Sequence, residues 1–154
     1  MKKYTFEKVI DREKAKVTLD IFADCLLSLK KGEQYRMQMA EKFIDYGNII
    51  CIKMKEEVVG FGAFYDNNQE QKEAFLSMIA VKDEYRDLGV GSMLLHEILL
   101  QVKKKGMKSV KLEVLKNNGR AIDFYKGKGF VNTGETEKSY IMCANLEHYQ
   151  NMLK

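Results

Sequence analysis

The chain has 154 residues, of which 45% are apolar and 31% charged, an ordinary composition for a globular protein. That length suits one domain, residues 1–154, able to bury about 70% of its unfolded surface. The net charge is +4 with lysines and acids interspersed, and the one basic cluster, Lys103-Lys104-Lys105, closes a predicted helix whose dipole it complements, which argues against a nucleic-acid partner.

In chain order, Tyr4 to Ile10 alternates as a first strand. Asp11 can cap a helix carrying Ala15, Leu19, Phe22, Ala23, Leu26 and Leu27, ended by Lys31-Gly32. Glu33 to Tyr46 reads as a second helix with Met37, Ala40, Phe43 and Ile44 on one side, stopped by Gly47-Asn48. Ile49 to Met54 and Val58 to Tyr65 form a hairpin around Lys55-Glu56-Glu57, and Asp66-Asn67-Asn68 turns the chain. The apolar run Leu76 to Val81 is a buried strand. Leu95, Ile98, Leu99 and Val102 mark one face of the helix that follows, which Gly106 ends. Ser109 to Leu115 alternates as a strand, Asn117-Asn118 opens a helix over Gly119 to Lys126, and strands follow from Gly129 and over Lys138 to Leu146. This order predicts an α/β (α+β) fold, a mixed sheet covered on both faces.

Between the strand ending at Val81 and the following helix lies Lys82 to Gly91, ending in Gly89-Val90-Gly91. Glycines let backbone approach a ligand, and the free amides and dipole of a helix start attract anions. The expectation is a phosphate or pyrophosphate on the amides of Arg86 through Ser92. A Walker loop would need Lys-Ser/Thr after the last glycine, where Ser92-Met93 stands, and a dinucleotide fingerprint would need a third glycine, where Leu94 stands. By itself the turn is equally consistent with a plain helix cap.

Arg86-x-x-Gly89-x-Gly91 after an apolar strand resembles the acetyl-CoA motif of the GCN5-related N-acetyltransferases (GNAT). Asn118-x-x-Ala121-x-x-Phe124-Tyr125 followed by Gly129-Phe130 resembles that family's second signature, in the right order and spacing. The resemblance spans roughly Gly60 to Asn145. It implies a three-layer α-β-α fold whose central sheet, mixed but mostly antiparallel, splays between its fourth and fifth strands. It also implies an acetyl-CoA-dependent N-acetyltransferase, with acetyl-CoA as co-substrate, no metal, and a small-molecule or peptide amine as acceptor. A catalytically silent acyl-CoA-binding module of the same fold is the alternative, and a homodimer is compatible with the family.

Carried over residue by residue, the resemblance places the pyrophosphate on Arg86, Asp87, Leu88, Gly89, Val90, Gly91 and Ser92. It places the pantetheine arm along the backbone of Met78, Ile79, Ala80 and Val81, with Asn118 contacting it. The Ile79 amide would face the developing oxyanion. Tyr125 matches the family's general acid, while Phe124 would pack on the sheet. Glu73, Ser77, Tyr65, Glu113 or a relayed water are open candidates for the base. His96 reads as structural. Gly127 and Gly129 flank Lys128, which predicts a loosened helix end around Tyr125 and brings Lys126 or Lys128 near a coenzyme phosphate.

Cys25, Cys51 and Cys143 are scattered, with no C-x-x-C, and there are two histidines, so reduced thiols and no metal site are expected. No cysteine lies in either signature, which favours direct attack over an acyl-enzyme. The longest apolar runs fall well short of the eighteen or so residues of a membrane helix, and the first residues, MKKYTFEKVIDREK, lack the apolar core of a secretory signal. A cytoplasmic protein, not bound to a membrane, is expected. The acceptor side falls to Ala15 to Gly47 and Asn132 to Ser139, which carry Asp24, Glu33, Glu41, Asp45, Glu135 and Glu137.

Overall fold

A computed structural model describes residues 3–147 and residue 149; the ends of the predicted 1–154 domain lie outside the described residues. The chain runs β1 (Tyr4–Val9), α1 (Arg12–Ile21), a short 3-10 turn (Leu27–Lys31), α2 (Glu33–Tyr46), β2 (Asn48–Met54), β3 (Glu57–Tyr65) and β4 (Glu73–Val81). A second 3-10 turn (Asp83–Tyr85) leads to α3 (Val90–Lys104), β5 (Ser109–Leu115), α4 (Gly119–Gly127), β6 (Val131–Glu135) and β7 (Ser139–Asn145). The strands form one sheet in the order β1-β2-β3-β4-β5-β7-β6. Among the described residues, only β4 and β5 pair in parallel; the other neighbours are antiparallel.

Alternation along the strands builds two cores. Ile49 and Cys51 of β2 join Ala15, Leu19, Ala40 and Phe43 of α1 and α2 on one face. Ile50 and Ile52 join Leu94, Leu95, Ile98, Leu99 and Val102 of α3 on the other, where Tyr125 and Phe130 also lie. The three-layer expectation holds. The α3 stripe is the predicted one, with Leu95, Ile98, Leu99 and Val102 at most 1% exposed; each such side chain is worth about 1.5–3 kcal/mol of burial.

One expected element is shorter. Asp11 caps α1 as anticipated, accepting from the Lys14 amide at 2.8 Å. The helix ends at Ile21, however, and the amides of Phe22, Ala23 and Cys25 turn back to carbonyls three residues earlier. Phe22 is fully buried against Phe61, ring centroids 5.1 Å apart, and Leu29 is also buried. Reaching the core at both Phe22 and Leu29 requires the tighter turns, which leave Leu27 70% exposed rather than on a helix face.

The feature that positions the site is in β4. Ala63 faces Met78 and Phe64 faces Leu76, so Ser77 is an extra residue, a β-bulge. Ala74 and Leu76 therefore join the α3 core, whereas Met78 and Ala80 join the α1–α2 core. The parallel pairing of β4 with β5 also stops here, at Leu76 opposite Leu112. Beyond the bulge the two strands part, which is the splay expected between the fourth and fifth strands.

Candidate active site

Past the separation, the inner edge of β4 is left open. The Lys82 amide donates to the Val59 carbonyl at 2.9 Å, so it points toward β3. Backbone groups alternate along a strand, so those of Ile79 and Val81 point the other way, into the gap. The Val81 carbonyl there accepts from Arg86 Nε at 3.4 Å. This carbonyl contact, together with an ion pair to Asp83 at 3.3 Å, gives the Arg86 side chain a local packing role.

The loop after β4 curls through two left-handed residues, Asp87 at φ 63° and Gly89 at φ 83°. Gly89 is the N-cap of α3, and no side chain caps that helix start. The first α3 amides consequently point outward with the positive end of the dipole, the arrangement that holds a phosphate. A Cβ on Gly89 would meet nothing within 4 Å, so the glycine serves its backbone angle and the open space in front of it.

A cavity of about 460 Å³ joins these parts. Its walls include Ile79, Ala80 and Val81 from β4, Arg86, Asp87, Gly89, Gly91 and Ser92 from the loop and α3, and Asn118 and Tyr125 from α4. Met78, Leu88 and Val90, also anticipated, do not line it: Met78 is turned into the α1–α2 core by the bulge, Val90 is buried in the α3 core, and Leu88 is half exposed. Asn118 caps α4, its Oδ1 accepting from the Ala121 amide at 3.2 Å.

Tyr125 is 8% exposed and lines the cavity. Burial raises its pKa well above the ordinary phenol value. The expected loosening around it is overturned. The Phe130 amide donates to the Tyr125 carbonyl at 3.0 Å and the Gly129 amide to that of Lys126 at 3.1 Å, with Gly129 at φ 94°. These are the paired bonds of a Schellman ending, completed by the apolar contact of Phe130 with Tyr125, ring centroids 5.5 Å apart. Phe124 stacks edge-on against the other side at 5.3 Å. Gly129 thus tightens the turn, and Tyr125 is clamped between two rings.

Sequence reasoning missed several lining groups. Phe124 was assigned to the sheet alone, yet it also lines the cavity, with Lys128 Nζ 5.8 Å above its ring. Cys25 and Leu26 reach the cavity because α1 ends early. Burial pushes the Cys25 thiol pKa up, against a smaller opposing pull from Arg86. Arg120 enters from the first turn of α4 and pairs with Asp87 at 2.9 Å. Nothing in the one-dimensional pattern marks these three, since their proximity arises from folding.

The base candidates scatter. The Tyr65 hydroxyl is buried without a partner and Tyr65 packs on Phe43, 5.5 Å between centroids, away from the cavity walls. Glu73 lies at the far, paired end of β4. Ser77 is the bulge, and Glu113 is the first β5 residue past the separation, exposed on the face opposite Leu112 and Val114. His96 contacts Tyr149 at 3.3 Å and lies outside the cavity. Among the described residues, no cluster of three His, Cys, Asp or Glu could hold a metal, and no helix is long and apolar enough to cross a membrane.

The model of the acetyltransferase (GNAT) family matches residues 17–130, most of the chain. The chain belongs to the GNAT acetyltransferase family. Relatives within this family include the thialysine N-epsilon-acetyltransferase of Bos taurus, 37% identical over 82 residues, covering 52% of this chain and 48% of the relative. N-alpha-acetyltransferase 50 of Danio rerio is 36% identical over 76 residues, covering 49% of this chain and 45% of the relative. The chain thus spans about half the length of the relatives it matches. The GNAT fold is shared with the PaiA N-acetyltransferase of Thermoplasma acidophilum, solved in complex with coenzyme A, at a TM-score of 0.73 and 17% identity over 92% of this chain and 99% of that one. This GNAT chain therefore carries the family's splayed sheet, and its cavity lies at the splay.

Proposed function

We propose that this GNAT chain, as a single domain over residues 1–154, transfers an acetyl group from acetyl-CoA to a primary amine by direct attack in a ternary complex. One observation carries the reading: the open edge of β4, the uncapped start of α3 and Tyr125 meet in a single cavity. The residues suit the ligand, with outward amides for a pyrophosphate and an unpaired strand edge for an amide-bearing arm. Bound acetyl-CoA supplies the activated acetyl group as a thioester.

The chain's own groups do the remainder. Amides from Arg86 to Ser92 bind and orient the phosphates. The Ile79 N–H, aimed into the gap, stabilises negative charge developing on the acyl oxygen. Tyr125, a phenol whose pKa burial raises further, carries its proton at neutral pH and holds it ready for the departing sulfur. Cys25 lines the cavity, but its raised pKa keeps it a thiol rather than a nucleophilic thiolate, which favours direct attack.

The acceptor is a primary amine, the chemistry that the names of the bovine and zebrafish relatives specify. Free thiols at Cys25, Cys51 and Cys143 fit a reducing, cytoplasmic setting. The test follows free thiol release from acetyl-CoA with a panel of small amines, amino acids and peptides. Amine-dependent release supports the reading. Tight coenzyme A binding without release from any amine would make the chain a silent binder, and no binding would remove the cofactor assignment.

A further inference from the structure

Arg120 and Asp87 face each other across the cavity, one from α4 and the other from the loop before α3, with Nη2 2.9 Å from Oδ1. Their side chains are 63% and 84% exposed, and an ion pair so open to water holds only weakly. Asp87 also places a carboxylate beside the amides that would receive an anion, where negative charge opposes binding unless it is neutralised. The other arginine at the cavity, Arg86, is engaged with the Val81 carbonyl and Asp83. Among the described residues, Arg120 is therefore the cavity guanidinium held by a single exposed carboxylate, and its planar fork matches a phosphate better than it matches one carboxylate oxygen.

We propose that Arg120 is a phosphate-binding group for coenzyme A, and that Asp87 holds it at the cavity mouth until a phosphate of the ligand takes its place. This rests on the coenzyme A reading above. The exchange trades one exposed ion pair for a charge-assisted contact and leaves the amides of Gly91 and Ser92 to the rest of the anion.

The experiment measures Kd by calorimetry for coenzyme A and for dephospho-coenzyme A, with the whole chain and its Arg120→Gln, Arg120→Lys and Asp87→Asn variants, at two salt concentrations. Arg120→Gln should weaken coenzyme A binding about five- to tenfold and flatten its salt dependence. Arg120→Lys, which keeps the charge but loses the fork, should recover part of the loss. A loss confined to coenzyme A assigns the ribose 3′-phosphate; a loss shared with dephospho-coenzyme A assigns the pyrophosphate. Asp87→Asn should tighten binding, since asparagine tolerates the left-handed backbone and no longer competes for Arg120. Wild-type affinity in Arg120→Gln for both ligands overturns the assignment of Arg120, and weaker binding in Asp87→Asn overturns the holding role. A wild-type chain that binds neither ligand would instead bring down the coenzyme A reading, and this inference with it.

Discussion

Tyr125 shows how one side chain's surroundings set its chemistry. Its ring is held between Phe124 and Phe130, and burial raises its pKa further above neutral than that of an ordinary phenol. Tyr125→Phe keeps the rings in place and removes only the donor. Turnover should fall by at least about tenfold, toward the 10²- to 10⁴-fold range typical of a lost general acid, with KM for acetyl-CoA changing little; unchanged turnover would dismiss the acid role. The same raised pKa has a stability consequence. Its contribution is fully present below the unfolded phenol pKa of about 10 and is lost as pH rises through the higher folded value, because the unfolded chain gives up the proton first. Denaturant titrations above pH 10 should therefore show wild type losing stability faster than Tyr125→Phe, and parallel losses would contradict the raised pKa of Tyr125. The motif placed Tyr125 in sequence, but the clamp that holds it depends on Gly129 adopting φ 94°, an angle no spacing reports.

The bulge at Ser77 and the close seating of α3 decide where the elements put the site. Without the extra residue, Met78 and Ala80 would stay on the α3 face and the Ile79 backbone would not turn into the gap. Gly62 in β3 lies across from Ile79, and a Cβ there would stand 2.3 Å from Ile98 Cδ1 of α3, which is fully buried. Gly62→Ala should therefore destabilise the protein by about 1–3 kcal/mol through overpacking. Ile98→Val removes the clashing methyl, so the double variant should recover part of that loss. Additive losses, measured by chemical unfolding, would show that the contact is not what keeps Gly62 small. The element order and the α3 stripe were readable because burial imposes periods of 3.6 and 2 on the residues. The early end of α1 was not, since Leu26 and Leu27 fit a helical face as well as Leu19 does until Phe22 and Leu29 compete for the core.

For the whole molecule, the family match over residues 17–130 and the shared fold point to a chain stabilised by its co-substrate. Acetyl-CoA at about 100 times its Kd should add about 2.7 kcal/mol, raising Tm by roughly 5–10 °C for a chain of this size. Coenzyme A should act similarly, and ATP and NAD should not. A matching shift with NAD, or none with acetyl-CoA at saturation, would count against the cavity as a coenzyme A site.

The sequence by itself determined the kinds and order of elements, the glycine-bearing loop from Arg86 to Ser92 that opens a helix, and the resemblance carried by Asn118 and Tyr125. Each is local, a matter of residue type at a fixed spacing. Only the tertiary structure decided that β4 and β5 part at Leu76 and Leu112, that Cys25 and Arg120 reach the same cavity as Tyr125, and that Asp87 faces Arg120. Those depend on register, on one bulged residue and on which side chains win the core. Such contacts join residues up to about a hundred positions apart, beyond the reach of any periodicity or spacing along the chain.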